Sequence, residues 1–425
     1  MTAFALRDGV IHCEDVPLPL IAREVGTPVY VYSVAAMRGQ ARRFQAALAP
    51  LGDPLVAYAV KANPNAAVLA TLAGAGLGAD VVSGGEYARA RAAGMPPERM
   101  VFSGVGKTET EMRLALDGGL RQFNLESVEE AEMLSQVASA MGRAAPVAIR
   151  VNPNVAAGGH AKISTGAAHS KFGIPIVDAV AAASRVGDLP GLDLAGVAVH
   201  IGSQITTLAP LEQAFVKLGA LVADLRAAGH AIRTADLGGG LGLRYDPSAP
   251  APPGPEEYGA LVGRITRGWN VGLIFEPGRL IVGEAGVLLT EVIRVKAGLA
   301  NPFVVLDAAM TDLMRPSLYD AWHEIDSVAP IGERMTADIV GPVCETGDTF
   351  AIARRIDRVR AGDLMIIRTA GAYGATMAST YNSRALAAEV LVNGADWAVV
   401  RERRDTQAFL DGEHVPAWAG LQSGS

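Results

Sequence analysis

Cysteine is almost absent from the chain: there are two among 425 residues, Cys13 and Cys344. Two thiols cannot build a disulfide framework, so the chain is expected to fold in a reducing compartment, the cytoplasm. Aromatic residues are also sparse, at 5%, so Ala, Val, Leu and Gly must supply the core of a sequence that is 50% hydrophobic. Basic runs are lacking too. Only Arg401, Arg403 and Arg404 cluster, at what is expected to be a solvated strand end, and the formal net charge is −7. Nucleic-acid affinity needs a basic footprint, which this chain does not carry. No stretch approaches the apolar length that spans a bilayer, and no basic segment leads into a long apolar one near residue 1. These absences exclude a disulfide-stapled domain, a polyanion binder and a helical membrane protein. What remains is a compact composition, not a disordered one.

The length predicts two or three domains. Residues 1–36 hold short strand-like pieces such as Pro28-Val29-Tyr30-Val31-Tyr32. From residue 37 to 284 short apolar runs alternate with Ala-rich helical spacing. The runs are Leu55 to Val60, Ala79 to Val82, Met100 to Ser103, Gln122 to Leu125, Val147 to Val151, Gly196 to Val199, Thr234 to Leu237 and Leu273 to Glu276. Helices are expected between most of them, for example at Glu86 to Ala93, Glu109 to Asp117, Val128 to Ala140 and Leu211 to Ala228, the last closed by Gly229. Eight such alternations in about 250 residues predict a (β/α)8 TIM barrel. A doubly wound open sheet competes, but each run here ends in polar or Gly-rich residues. A barrel's carboxyl-end face needs that ring, whereas an open sheet would gather its polar groups at one crevice. Residues 285–425 lose the helical spacing. Strands are expected at Val287 to Val295, Pro302 to Asp307, Met335 to Val340, Thr349 to Ile352, Leu364 to Thr369, Glu389 to Val392 and Trp397 to Arg401, in a mostly β domain that takes in the N-terminal strands.

Three of the strand tips carry distinct chemistry. Lys61 follows a buried run and precedes Asn63-Pro64-Asn65; such a lysine taken alone merely snorkels. Gly238-Gly239-Gly240 after Asp236 lets backbone N–H groups close on a phosphate with no Cβ in the way. It is not a dinucleotide fingerprint, because Leu243 stands where the third glycine of Gly-x-Gly-x-x-Gly belongs. Glu276-Pro277-Gly278-Arg279 puts a carboxylate and a guanidinium on one rim. A strand-end lysine, a glycine cradle and an acid are together the tools that hold pyridoxal 5'-phosphate. The lysine must be neutral to attack the cofactor's aldehyde, and burial is expected to lower its pKa.

The segments Tyr58-Ala59-Val60-Lys61-Ala62-Asn63, His200-Ile201-Gly202-Ser203-Gln204, the triple glycine and Glu276-Pro277-Gly278-Arg279 resemble the pyridoxal-phosphate decarboxylases of the alanine-racemase-like fold. Further segments are similar to the diaminopimelate decarboxylases among them. These are Thr165-Gly166, Ser170-Lys171-Phe172-Gly173, Met314-Arg315-Pro316-Ser317-Leu318-Tyr319, Gly341-Pro342-Val343-Cys344-Glu345-Thr346-Gly347-Asp348, Gly371-Ala372-Tyr373-Gly374 and Tyr381-Asn382-Ser383-Arg384. Ala385 stands where relatives usually have proline, and Gly283-Glu284 is more acidic than the pattern. The resemblance implies that Lys61 carries the cofactor, His200 stacks on its ring, and Ser203, Gly240 and Tyr373 hold its phosphate, with Gly238, Gly239 and Gly278 in the same cradle. It implies that Glu276 pairs with the pyridine nitrogen, that Arg279, Arg315 and Tyr319 hold the distal carboxylate of the substrate, that Glu345 lies near the distal amino group, and that Arg279 also touches the cofactor and Tyr373 also the substrate. It also implies a homodimer in which Cys344, the proton donor, completes the neighbour's site. Asp80 is given only a supporting role.

The expected reaction is decarboxylation of meso-diaminopimelate to L-lysine and carbon dioxide, the last step of lysine biosynthesis. Two arginines call for a second substrate carboxylate, which ornithine lacks. The alternatives are a decarboxylase of another amino acid, of ornithine, arginine or carboxynorspermidine type, or a cofactor carrier without turnover. Gly158 to Ser170, with His160 and His169, is the expected lid. No metal site is expected, because no Cys, His or Asp partner spacing accompanies those histidines.

Overall fold

A computed structural model of the chain describes residues 3–158, 165–166, 170–416 and 418–419. Eight parallel strands close into a barrel: β1 (Leu55–Ala59), β2 (Gly78–Val81), β3 (Met100–Phe102), β4 (Gln122–Leu125), β5 (Ala145–Asn152), β6 (Leu192–Val199), β7 (Thr234–Asp236) and β8 (Gly272–Phe275). Closure is made by β8 against β1, with Ile274 opposite Leu55 and Phe275 opposite Val56. All eight lie where the apolar runs predict them.

Side chains two apart on a strand share a face, and this period stacks the barrel interior in layers. Leu55, Ala57, Val101 and Ile274 form a small apolar cluster of their own. Two residues further along their strands, Val101 is succeeded by Ser103 and Ile274 by Glu276, which are hydrogen-bonded to each other. The interior is thus apolar below and polar at the carboxyl-end mouth, where water and ligands have access.

After β2, β3 and β4 the turns out of the mouth are short, and in each a Ser or Thr caps the next helix. Ser83 accepts from Glu86 N at 3.2 Å and opens helix Gly84–Ala92. Thr108 and Glu111 form a reciprocal capping box at Glu109–Asp117. Ser127 caps Val128–Met141. The long helix spans Ala209–Ala227, two residues earlier at its start than the spacing predicts, with Gly229 at φ +94° just past its end.

The β domain is built on a sheet in the order Thr349–Asp357, Arg334–Val340, Phe303–Leu306, Gly286–Lys296, Val29–Ser33, Ala388–Asn393, Asp396–Arg401. The N-terminal strand Val29–Ser33 is inserted between two C-terminal ones, antiparallel to Gly286–Lys296 and parallel to Ala388–Asn393. Several features escape the sequence reading, among them the short helices Arg315–Tyr319 and Thr406–Leu410 of the β domain. Others are helix Leu18–Val25, strand Ile325–Ser327, and the extension of Thr349–Asp357 through Arg354 and Arg355, which pair across to Ala337 and Thr336. The arginine cluster is also not simply solvated. Arg401 Nε lies 2.5 Å from the fully buried Glu389, and Arg403 donates to Pro28 O at 3.0 Å.

Candidate active site

At the end of β1 the chain tightens into a single 3-10 turn, Val60–Ala62, which turns Lys61 into the barrel mouth. Its Nζ lies 2.5 Å from Asp80 Oδ2, and the Asp80 side chain is wholly buried. Burial would push the half-exposed Lys61 ammonium down, but the Asp80 carboxylate, with Tyr373 and Glu276, outweighs it and holds the group above its ordinary value. The expectation of a lysine made neutral by burial is therefore corrected: in this geometry the resting lysine is an ammonium. Asp80 is its direct partner, not a marginal one.

Next to this pair four strands contribute a buried polar layer. Asn124 Nδ2 on β4 donates to Asp236 Oδ2 at 2.9 Å, to Ser103 Oγ at 3.1 Å and to Glu276 Oε1 at 3.3 Å. Ser103 Oγ in turn donates to Glu276 Oε1 at 3.2 Å. Burial, followed by the carboxylates of Asp236 and Asp80, pushes Glu276 well above the usual carboxylate range, against the pull of Lys61. Asp236 is also raised, mainly by burial.

The glycine turn after β7 leaves no room for side chains. A Cβ would lie 2.4 Å from Val199 O at Gly238, 2.1 Å from Glu276 O at Gly239 and 2.3 Å from Gly202 O at Gly240. Gly238 N donates to Asp236 Oδ1 at 2.9 Å, and Gly239 N to His200 Nδ1 at 3.1 Å. A ring nitrogen that accepts from an N–H carries no proton, so the imidazole is neutral. Burial, then the nearby Arg150 and Lys61, hold its pKa well below the usual value.

The opposite wall is cationic and aromatic. Arg279, from the short helix Arg279–Val282 after β8, donates to Tyr245 OH at 2.7 Å and to Ser203 Oγ at 3.0 Å, with its guanidinium carbon 4.7 Å from the Tyr373 ring centre. Arg315, from helix Arg315–Tyr319 of the β domain, packs on the same Tyr245 ring at 4.2 Å. Its Nη1 donates to His323 Nε2 at 2.7 Å, while His323 Nδ1 donates to Arg368 O at 2.8 Å. Arginine can only donate and a carbonyl only accept, so the tautomer is fixed. Burial, then the Arg315 charge, pushes His323 down to about 3. Both arginines are buried, at 7% and 5% exposure, yet neither has a carboxylate ion-pair partner among the described residues.

A cavity of about 200 Å³ brings together Lys61, His200, Ser203, Gly238, Gly239, Gly240, Glu276, Gly278, Arg279, Tyr319 and Tyr373. Arg315 stands with Tyr319, Arg279 and Tyr245 around an adjoining space. Cys344 and Glu345 are not brought in. They are exposed on the β domain, where Cys344 N donates to Asn382 Oδ1, in a segment joined to the Arg315 helix by Ser317 Oγ donating to Gly347 O at 2.5 Å. Of the expected lid, Gly158, Thr165, Gly166 and Ser170 are described, and Thr165 Oγ1 donates to His200 O at 2.8 Å; His160 and His169 lie outside the described residues. Sequence reasoning missed Tyr245 and His323, which have no motif around them. It also assigned no task to Ser103, Asn124 and Asp236, although the polar strand-tip pattern contains all three.

This donor set fits pyridoxal phosphate. A lysine amine, a cradle of backbone N–H groups from which Cβ atoms are excluded, and a buried acid all face one cavity.

Comparison with known proteins agrees with that fit. The sequence profile of the family described as pyridoxal-dependent decarboxylase, pyridoxal binding domain, matches residues 34–283. A diaminopimelate decarboxylase of Zymomonas mobilis is 55% identical over 420 residues, covering 98% of this chain and 100% of the relative. One from Neisseria meningitidis serogroup A is 46% identical over 404 residues, covering 95% and 98%. Among solved structures, the diaminopimelate decarboxylase of M. jannaschii in complex with L-lysine superposes with a TM-score of 0.94 at 33% identity, covering 99% of this chain and 100% of the other.

Proposed function

Because the chain belongs to the pyridoxal-dependent decarboxylases, and among them to the diaminopimelate decarboxylase family, we propose that it removes carbon dioxide from meso-diaminopimelate at its D-centre to give L-lysine, the last step of lysine biosynthesis. The observation that carries the substrate assignment is the pair Arg279 and Arg315, two buried guanidinium groups with no carboxylate to neutralise them among the described residues. Buried charges are paired, and the missing anion is the second carboxylate of the substrate. An ornithine-type substrate would leave both arginines uncompensated.

Bound pyridoxal phosphate supplies an electron sink for the pair left on carbon when carbon dioxide departs. The protein's tasks are to bind, orient and protonate. Lys61 Nζ anchors the cofactor and must first release the proton that Asp80 stabilises. The phosphate would lie against the Gly238 to Gly240 turn, held by Gly240 N–H with Gly278, Ser203 and Tyr373. Gly238 and Gly239, whose own N–H groups serve Asp236 and His200, leave the space that a Cβ would close. The neutral His200 ring would stack on the cofactor. Glu276 meets the pyridine nitrogen. Arg279, Arg315 and Tyr319 hold the distal carboxylate. Cys344 of the partner subunit returns a proton to the carbon, and the partner subunit's Glu345 lies near the distal amino group. The exposure of Cys344, and its link through Gly347 to the Arg315 helix, support a homodimer with shared sites. We read the chain as 1–36 and 285–425 forming the β domain around a cofactor-binding barrel at 37–284, working in the cytoplasm. Among the described residues no helix is long and apolar enough to cross a membrane.

Two experiments test this. With pyridoxal phosphate, a panel of amino acids should release carbon dioxide from meso-diaminopimelate with lysine as product; preference for ornithine or arginine would sink the substrate assignment. For the shared site, Lys61→Ala and Cys344→Ala subunits, each inactive alone, should regain about one quarter of wild-type activity when mixed, because half of the dimers then contain one intact site. No recovery would place Cys344 elsewhere.

A further inference from the structure

Glu276 lines the cavity floor, and with the Asp80 and Asp236 carboxyl groups buried behind it the acids there outnumber the cations. Asp80, Asp236 and Glu276 are 0%, 1% and 7% exposed, and the cation among them, Lys61, is committed to Asp80. Asp236 and Glu276 both accept from the one Asn124 amide nitrogen and lie within hydrogen-bonding reach of each other. Two carboxylates so placed in a buried site cannot both be ionised, and one proton stays with the pair. Resting on the cofactor reading above, we propose that Asp236 and Asn124 are positioning residues for Glu276: Asp236 keeps a proton on it, Asn124 aims it, and Glu276 hands that proton to the pyridine nitrogen as the cofactor binds.

The hydrogen bonds place the proton on Glu276. Asp236 Oδ1 accepts from Gly238 N and its Oδ2 from Asn124, so both oxygens of Asp236 are already served as a carboxylate. Glu276 has its hydrogen bonds from Ser103 and Asn124 on Oε1 alone. In the transfer the O–H bond of Glu276 breaks and an N–H bond forms on the ring. The carboxylate that remains keeps Ser103 Oγ and Asn124 Nδ2 as donors, and the new charge on the ring replaces the proton that separated it from Asp236.

Asn124 cannot turn away from this task. Its Oδ1 accepts from Gln122 Nε2 at 2.8 Å, Gln122 Oε1 accepts from Thr234 Oγ1 at 2.8 Å, and its backbone carbonyl accepts from the buried Lys107 at 2.7 Å. A chain of side chains from β3, β4, β7 and β8 thus fixes where Glu276 points, and through Gly238 N the same Asp236 also sets the phosphate turn. The titratable groups facing the pair are Asp80 from β2, Lys61 beyond β1, and Tyr258 from helix Pro255–Ile265.

The test is the number of protons taken up when pyridoxal phosphate binds to the full-length protein, from calorimetry in buffers of different ionisation heat. Without the neighbouring charge in Asp236→Asn, Glu276 ionises beforehand, and binding should draw about one more proton from solvent than in wild type. Asn124→Ala should retain the cofactor roughly tenfold less tightly with an unchanged proton count. In the wild type, an infrared difference spectrum should lose the carbonyl stretch of a protonated carboxyl on cofactor binding. Glu276→Gln should lack that signal. This measurement decides even where Asp236→Asn fails to fold. Equal proton counts, or no carboxyl signal in the wild type, overturn the proposal alone. A wild type that binds no pyridoxal phosphate overturns the cofactor reading together with it.

Discussion

The floor and the wall of the cavity are built on opposite plans. The floor is anionic, made by Asp80, Asp236 and Glu276 at the tips of barrel strands, and its charges are held by short bonds between residues of one domain. The wall is cationic, made by Arg279 from the barrel and Arg315 from the β domain, and Tyr245 stands between them with a guanidinium on either side. The floor has an excess of acid that a cofactor's ring nitrogen and the lysine can balance. The wall has an excess of positive charge that bound anions can balance, the cofactor's phosphate beside Arg279 and the substrate's second carboxylate between Arg279 and Arg315. On the proposed reading, cofactor binding falls to the barrel and substrate choice to the junction of the two domains.

The largest break in this contrast comes from the floor. Lys61→Ala should lose the visible band of bound cofactor after dialysis and about 10³-fold or more in turnover; a retained band would mean that another lysine anchors the cofactor. On the wall, Arg315→Met should lower kcat/KM for diaminopimelate by roughly 10²–10³-fold, with the cofactor band intact, and an equal loss of the band would erase the division between the two regions. Asp80→Asn sharpens it. Without the carboxylate that holds Lys61 above its ordinary value, the free amine is available at lower pH, and the midpoint of cofactor capture should move down by about one unit or more. An unmoved midpoint would show that Asp80 does not set the charge of Lys61.

The smallest effect concerns stability. His323 is neutral in the folded chain down to about pH 3, whereas an unfolded histidine gains its proton near 6.5. Between those values the unfolded chain binds the additional proton, so stability falls as pH falls, by up to about 1.4 kcal/mol per pH unit. His323→Asn should flatten the slope of urea-unfolding free energy across that window. An unchanged slope would assign the acid sensitivity to other groups.

The two regions also differ in how far the sequence reveals them. The floor and cradle follow from strand tips, because a period of two and a polar residue after an apolar run locate Lys61, Glu276 and the triple glycine without knowledge of tertiary contacts. The eight barrel strands were legible for the same reason. The wall is not local. Tyr245 reaches Arg315 across 70 positions of chain, and the task of His323 depends on Arg315 Nη1 and the Arg368 carbonyl. No pattern around either residue encodes those partners; Arg279 is legible as the guanidinium of the strand-eight tip, but its task toward the substrate, and Arg315 altogether, were found only through the family resemblance and its motifs. The charge of Lys61 was misread because the sequence displays burial but not that Asp80, 19 residues away, lies at 2.5 Å. Strand Ile325–Ser327 was missed because its three residues hold one apolar side chain and no strand–helix alternation surrounds them to mark the position, as it does for the equally short barrel strands Met100–Phe102 and Thr234–Asp236.

The claim that the wall selects the substrate is tested most directly by the ratio of kcat/KM for meso-diaminopimelate to that for diamino acids with one carboxylate, lysine and ornithine in both enantiomers. It should be measured in the wild type and in Arg315→Met. The account predicts a large ratio in the wild type that collapses in the variant, mainly through loss of the diaminopimelate reaction. A ratio that survives the substitution would contradict it.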